Sequence, residues 1–235
     1  MINFKQFNVL TFDCYGTLID WESGILTALR PLLKKYEVSP TDNEILDLYA
    51  QLESEAEARK FQNYKAILRQ VVQGMGEEFG FTPQEDELNS LAKAIPRWKP
   101  FPDTVPALRF LKKHFKLAII SNIDNDLITS SLKHLKVKFD AIITAEQVKS
   151  YKPSRENFLF ALKTLRQPKQ KVLHVAQSIF HDIVPAKQLG LSTVWVNRRK
   201  NLEGFGATPP AYAQPDLEVP DLRSLVTLME QQLGG

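Results

Sequence analysis

The chain reads as a doubly wound α/β protein, and three observations carry that reading. Short runs of consecutive apolar residues recur at 8–12, 117–121, 141–144, 172–176 and 193–196. Runs of this length without alternation belong to strands buried on both faces of a parallel sheet. Helical periodicity fills the gaps between the later runs, at 104–114, 125–135, 155–166 and 182–189, which is strand–helix alternation. The stretch between the first strand and the first of these helices shows helical periodicity alone. Together they predict a Rossmann-like parallel core, residues 1–20 and 100–235, with an inserted helical cap of about four helices over 21–99.

The cap helices follow in order. Ile25, Leu26, Leu29, Leu32, Leu33 and Tyr36 fall on one face, with Pro31 expected to kink that helix. Thr41-Asp42-Asn43-Glu44 is a capping box ahead of Ile45, Leu48, Tyr49 and Leu52. A third helix carries Tyr64, Ile67, Leu68, Val71, Val72 and Met75. Thr82-Pro83-Gln84-Glu85 reads as a second capping box, with proline at the first helical position, ahead of Leu88, Leu91 and Ile95. Pro96, Pro100, Pro102 and Pro106, with Trp98 and Phe101 between them, mark a stiff return to the core. A cap hinged there would close on a small substrate and exclude water.

Composition narrows the function classes. Of 235 residues 43% are apolar and 24% charged, and the net charge of +3 is small. Basic clusters such as Lys112-Lys113 and Arg198-Arg199-Lys200 are short and lack interleaved aromatics, so no nucleic-acid partner is expected. Cys14 is the only cysteine, which excludes an intramolecular disulfide and a cysteine metal cluster and suits a reducing cytoplasm. No signal-peptide pattern or membrane-length apolar run is present, so a cytoplasmic protein without a membrane partner is expected. Assembly stays open, with a homodimer as one expectation.

Chemistry concentrates at the ends of the predicted strands. Asp13 follows the first, Ser121-Asn122 the second, Lys152 comes shortly after the third, and Asp182 lies beyond the fourth. In a parallel sheet these ends line one crevice. A carboxylate there can act as a nucleophile, giving a covalent ester that splits one displacement into two easier steps. A lysine near two aspartates favours their ionised forms, and the backbone amides of the Gly16-Thr17 turn could stabilise an oxyanion.

The order and the residues resemble the haloacid dehalogenase superfamily across nearly the whole chain. Its four motifs are matched by Asp13-Cys14-Tyr15-Gly16-Thr17-Leu18, by Ser121-Asn122, by Lys152-Pro153 and by the segment Ala176 to Asp182. The resemblance implies Asp13 as nucleophile and Thr17 and Ser121 as holders of its carboxylate or the developing oxyanion. It also implies Lys152 as the charge-neutralising group, and Asp182 as the group orienting Lys152 or the attacking water. Phosphatases of the superfamily carry an acid two residues after the nucleophile, where this chain has Tyr15. Their motif-four Gly-Asp pair is here Ala176-Gln177. No metal or other cofactor is therefore expected; a magnesium ion, if bound, would use Asp13, the Tyr15 backbone carbonyl and Asp182.

An Asp-x-Tyr-Gly-Thr-Leu motif looks like the 2-haloacid dehalogenase branch, which displaces halide from the carbon next to a carboxylate. A halide leaves without a proton, which suits the missing acid, and a strained, protonated amine would suit it equally. The stretches 12–21, 121–124, Arg198-Arg199 and 203–208 look even more like the L-azetidine-2-carboxylate hydrolases of that branch. The expected partner is thus a small-molecule carboxylate, with Tyr15, Trp21, Asn122, Gln177 and His181 as candidate substrate contacts. The branch's carboxylate-binding cap arginine has no counterpart in Leu48 to Glu53; Arg59 and Lys60 lie nearby, where a surface position is the simpler expectation. Phe158 stands where the family has tyrosine, and Gln177, Ile179 and His181 replace its serine, asparagine and tryptophan. Two rival readings are a magnesium-dependent small-molecule phosphatase and a catalytically idle binding relative.

Overall fold

The computed structural model describes residues 2–233. Strand β1 (Val9–Phe12) is followed by helices α1 (Trp21–Lys35), α2 (Asp42–Glu57), α3 (Tyr64–Phe79) and α4 (Ser90–Ala94). The chain then alternates through α5 (Thr104–His114), β2 (Lys116–Ser121), α6 (Asn125–Leu135), β3 (Ala141–Thr144), α7 (Ala145–Val148), α8 (Glu156–Leu165) and β4 (Val172–Ala176). After β4 come a π-turn (Ile179–Ile183), α9 (Val184–Gln188), β5 (Ser192–Val196), β6 (Leu217–Val219) and α10 (Leu222–Leu233).

The six strands form one sheet in the order β3-β2-β1-β4-β5-β6, and every pairing is parallel. All residues of β1 and β4 are buried, as the unbroken apolar runs require. The order reverses direction at β1, so the carboxyl ends of β2, β1 and β4 border the crevice where open α/β sheets bind ligands. β6 and α10 have no counterpart in the sequence reading. Three residues are too few for a strand signal, and α10 shows its buried Leu222, Leu225 and Met229 only against the sheet.

Helices α1–α4 pack on one another over an apolar interior that includes Ile25, Leu29, Ile45, Tyr49, Ile67, Leu68, Val71 and Leu91. The Thr41 capping box forms with both its bonds. The Thr82 box does not: residues 81–84 form no regular structure, and a helical run begins only at Glu87. Glu85 pairs with Arg69 at 2.7 Å, while Glu87 turns back to the Gln84 amide and to Lys35 and Tyr36. Charge partners on α1 and α3 thus outcompete the local cap. Helix α1 runs through Pro31 to Lys35 as one assigned helix.

Asp124, after β2, ties this helical segment to the sheet. Its carboxylate accepts from the amides of Tyr64 at 2.7 Å and Lys65 at 3.0 Å, capping α3 from outside its own chain segment. No described helix is long and apolar enough to cross a membrane.

Candidate active site

Asp13 follows β1 directly, and the chain then turns sharply: the Leu18 and Ile19 amides both return to the Cys14 carbonyl. Gly16 makes this possible with a φ of 90°, and a Cβ there would meet Trp21 Nε1 at 2.9 Å. The turn brings Thr17 Oγ1 to 2.7 Å from Asp13 Oδ2, donating to it. Thr17 Oγ1 in turn accepts from the Gln177 amide at 2.9 Å. Arg198, just after β5, anchors the turn with two donors on the Thr17 carbonyl, its Nη1 donating to both Asp103 oxygens and its guanidinium over Phe101. The expected oxyanion donor at Gly16 is otherwise engaged, since its amide donates to the Ile19 carbonyl at 2.8 Å.

Lys152 is fully enclosed. Its ammonium donates to Asp13 Oδ1 at 2.8 Å, Asp182 Oδ1 at 2.7 Å and the Ile120 carbonyl at 3.0 Å. Its backbone is clamped by Asn122, whose Oδ1 accepts the Lys152 amide at 2.7 Å and whose Nδ2 donates to the Lys152 carbonyl at 3.0 Å. Asn122 gives its other proton to Glu57 at 3.0 Å. Both donors of this amide are thus committed to the protein, so the expected substrate contact is better described as a brace.

Asp182 lies in the π-turn, a rare element that re-aims side chains at functional sites. Burial alone would raise its carboxyl, but the Lys152 charge and the His174 bond outweigh it and hold it below the usual range. Asp13 goes the other way: burial dominates and the Asp182 charge adds to it, against Lys152 and Thr17, so its carboxyl lies above the usual value. Burial also lowers Lys152, but the two carboxylates overcome it and its ammonium stays protonated. Asp182 Oδ2 is buried without a partner.

His174, inside β4, is a residue that sequence reading missed because it interrupts an apolar run. It stands in register with Thr11 and bridges Thr11 Oγ1 at 2.9 Å to Asp182 Oδ1 at 3.0 Å, with Phe158 edge-on to its ring. Against the Asp182 carboxylate, which can only accept, Nε2 is the donor. His174→Phe removes that donor and is expected to cost about 1–3 kcal/mol of stability. It should also raise the Asp182 carboxyl, moving the acid limb of the pH–rate profile upward. Thermal melts and rates across pH 4–8 check both; an unmoved limb would leave His174 a packing residue only.

The helical segment supplies the facing wall. Glu53 and Glu57 of α2, Tyr64 of α3 and Trp21 of α1 line the same pocket as Asp13, Tyr15, Ser121, Asn122, Lys152, His181 and Asp182. The space they enclose is about 30 Å³, room for about two waters. Glu53 accepts from the hydroxyls of Tyr49, at 2.9 Å, and Tyr64. Burial, offset only in part by these bonds, raises it to about 7. Glu57 is likewise raised by burial, with the Glu53 charge adding. A sequence signal for both existed: Glu53 and Glu57 continue the four-residue stripe of Ile45 and Tyr49, which puts acids on a buried face.

The remaining expected contacts divide. Ser121 is buried in the pocket, though the hydroxyl bonded to Asp13 is that of Thr17. Tyr15 lines the pocket with its hydroxyl turned to Ser131 on α6 at 2.8 Å and its ring against Trp98. Trp21 lines the pocket while packing edge-on against Tyr49. His181 is in place, and burial lowers it to about 4, leaving it neutral, with Nε2 3.8 Å from Glu57. Gln177 is the misplaced one. Its amide holds Thr17 and its carbonyl accepts from Trp195, but its side chain borders outer clefts because the strand end turns it away. Arg59 and Lys60 are exposed in the turn after α2. Thr208 was missed; it reaches the pocket because Glu22 holds the 199–208 loop through Arg199 and the Ala207 amide.

Residues 10–196 match the family model of haloacid dehalogenase-like hydrolases. The chain belongs to this family. It is 28% identical to an (S)-2-haloacid dehalogenase of Pseudomonas sp. (strain YL), over 96% of this chain and 95% of that one. It is equally 28% identical to (S)-2-haloacid dehalogenase H-109 of Pseudomonas putida, over 85% and 90%. The solved L-2-haloacid dehalogenase of Xanthobacter autotrophicus superposes with a TM-score of 0.80 at 25% identity, covering 95% and 98%. The hydrolase is thus related along its whole length to enzymes that act on 2-haloacids.

Proposed function

We propose that this hydrolase displaces a leaving group from the α-carbon of a small carboxylic acid through an ester on Asp13. The substrate is a 2-haloacid or an azetidine-carboxylate-like ring. One observation carries the reading: Asp13 is buried beside Lys152 and Thr17, while the side chain two residues on is a tyrosine committed to Ser131. Nothing at that position can protonate a poor leaving group, so the group that leaves must be weakly basic or already protonated. Asp13 attacks the carbon, the bond to the leaving group breaks, and its electron pair departs with that group. Water then attacks the ester carbonyl while Asp182 Oδ2, the partnerless oxygen, accepts its proton. The acyl–oxygen bond breaks, the departing alkoxide takes that proton to leave as the 2-hydroxy acid, and the Asp13 carboxylate is regenerated. Residues 21–99 act as a cap that opens to admit substrate, since the closed space cannot hold one.

The reaction as drawn uses no metal. The phosphatase alternative is weaker for want of an acid at position 15. A single turnover in ¹⁸O-water, enzyme in excess, tests the mechanism with L-2-chloropropionate and azetidine-2-carboxylate. The label should enter the Asp13 carboxylate, read from the mass of its peptide; label in the product hydroxyl would mean that water attacks the substrate directly.

A further inference from the structure

The pocket wall contributed by the helical segment is acidic where an anionic substrate would need a cation. Among the described residues lining the pocket, Lys152 is the one lysine or arginine, and its three protons go to Asp13, Asp182 and the Ile120 carbonyl. His181 is neutral. A simple halocarboxylate entering here would bring its charge against Glu53 and Glu57 with no opposing cation free. Glu57 Oε1 is buried without a partner on a side chain only 5% exposed, and such an oxygen calls for a donor. Trp21, Tyr15 and Tyr64 complete the walls with aromatic surface, which also favours cations.

We propose that Glu53 and Glu57 form a subsite for an ammonium group, so that the substrate presented to Asp13 is a small amino acid. This rests on the preceding reading only for the position of the reacting carbon. The nitrogen fills the place of the missing donor at Glu57 Oε1 and offsets the surplus of carboxylates over ammonium. Glu53 faces the Tyr49 and Tyr64 hydroxyls, Glu57 faces Asn122 and His181, and Lys152, Asp13 and Asp182 line the same pocket. Because burial holds Glu53 and Glu57 high, a bound cation must draw protons off them. Its affinity therefore rises by about tenfold between pH 6 and pH 8.

Calorimetric titration of the whole protein with azetidinium chloride and with sodium cyclobutanecarboxylate, probes of one ring size, tests the subsite. Azetidinium should bind at least about tenfold more tightly at pH 8 and more weakly at pH 6. Glu57→Gln and Glu53→Gln, which keep the local hydrogen bonds, should lose about tenfold or more of that affinity while retaining the wild-type circular dichroism. Equal or tighter binding of cyclobutanecarboxylate, no azetidinium binding, or unchanged affinity in the Gln variants would overturn the proposal. The ¹⁸O experiment fails or succeeds independently of these titrations, so loss of the subsite and loss of the Asp13 mechanism are told apart.

Discussion

Replacing Asp13 by asparagine abolishes turnover and leaves the fold at least as stable at pH 7. Asparagine keeps the shape, and its one oxygen can still accept from Lys152 while its amide group turns to Thr17 Oγ1 as a donor, so the geometry survives while the nucleophile is lost. On the proposed mechanism the rate should fall by at least roughly 10⁴-fold, the scale seen when a covalent nucleophile is removed. Stability moves in the opposite direction. The Asp13 carboxyl lies above its ordinary value of 3.8 in the fold, chiefly through burial. For such an acid, the stability contribution is complete below the ordinary value and is lost as pH rises through the folded one. At neutral pH the charge therefore works against folding, and the asparagine variant is relieved of it. Steady-state rates and melting temperature at pH 7 check the pair of expectations. Turnover retained by the variant would sink the mechanism, and a large drop in melting temperature would refute the electrostatic account.

The second large effect is expected from Lys152→Met. Methionine fills most of the volume but leaves two buried carboxylates facing one another without their shared ammonium. Removing one partner of a buried ionic group costs about 3–5 kcal/mol, which in a chain of this length lowers the melting temperature by roughly 10 °C. Turnover should vanish too, since Asp13 would hold its proton at neutral pH. The deficit is pH-dependent: the variant's acids ionise only at higher pH, so its stability falls as pH rises through that range. Melts of wild type and variant should thus converge toward pH 4 and diverge toward pH 8. A pH-independent difference would show that Lys152 matters through packing alone.

How much of this was legible in the sequence depends on what each residue's neighbours are. The strands were readable because burial on both faces leaves an apolar run, and Asp13, Ser121, Lys152 and Asp182 because they lie at or soon after the ends of such runs. The Thr41 box was readable since its partners lie three residues apart. The Thr82 box misled because Glu85 and Glu87 find partners on other helices, Arg69 and Lys35, which no local pattern can show. Asn122 reads as a substrate contact until Lys152, thirty residues later, is seen to use its amide on both sides. Thr208 enters the pocket only through Glu22 and Arg199, distant in the chain. Such pairings are properties of the fold, not of any window along it.

The Asp124 carboxylate over the first amides of α3 bears on how material enters and leaves. Its two bonds are made together, by one side chain, to two successive residues. On the reading in which residues 21–99 open, a small displacement breaks both and leaves a mostly buried anion and two bare amides at once. On that reading intermediate positions are the costly ones, which favours two discrete positions over a continuum. Passage of substrate becomes a discrete event with a frequency of its own, set far from the carbon that reacts.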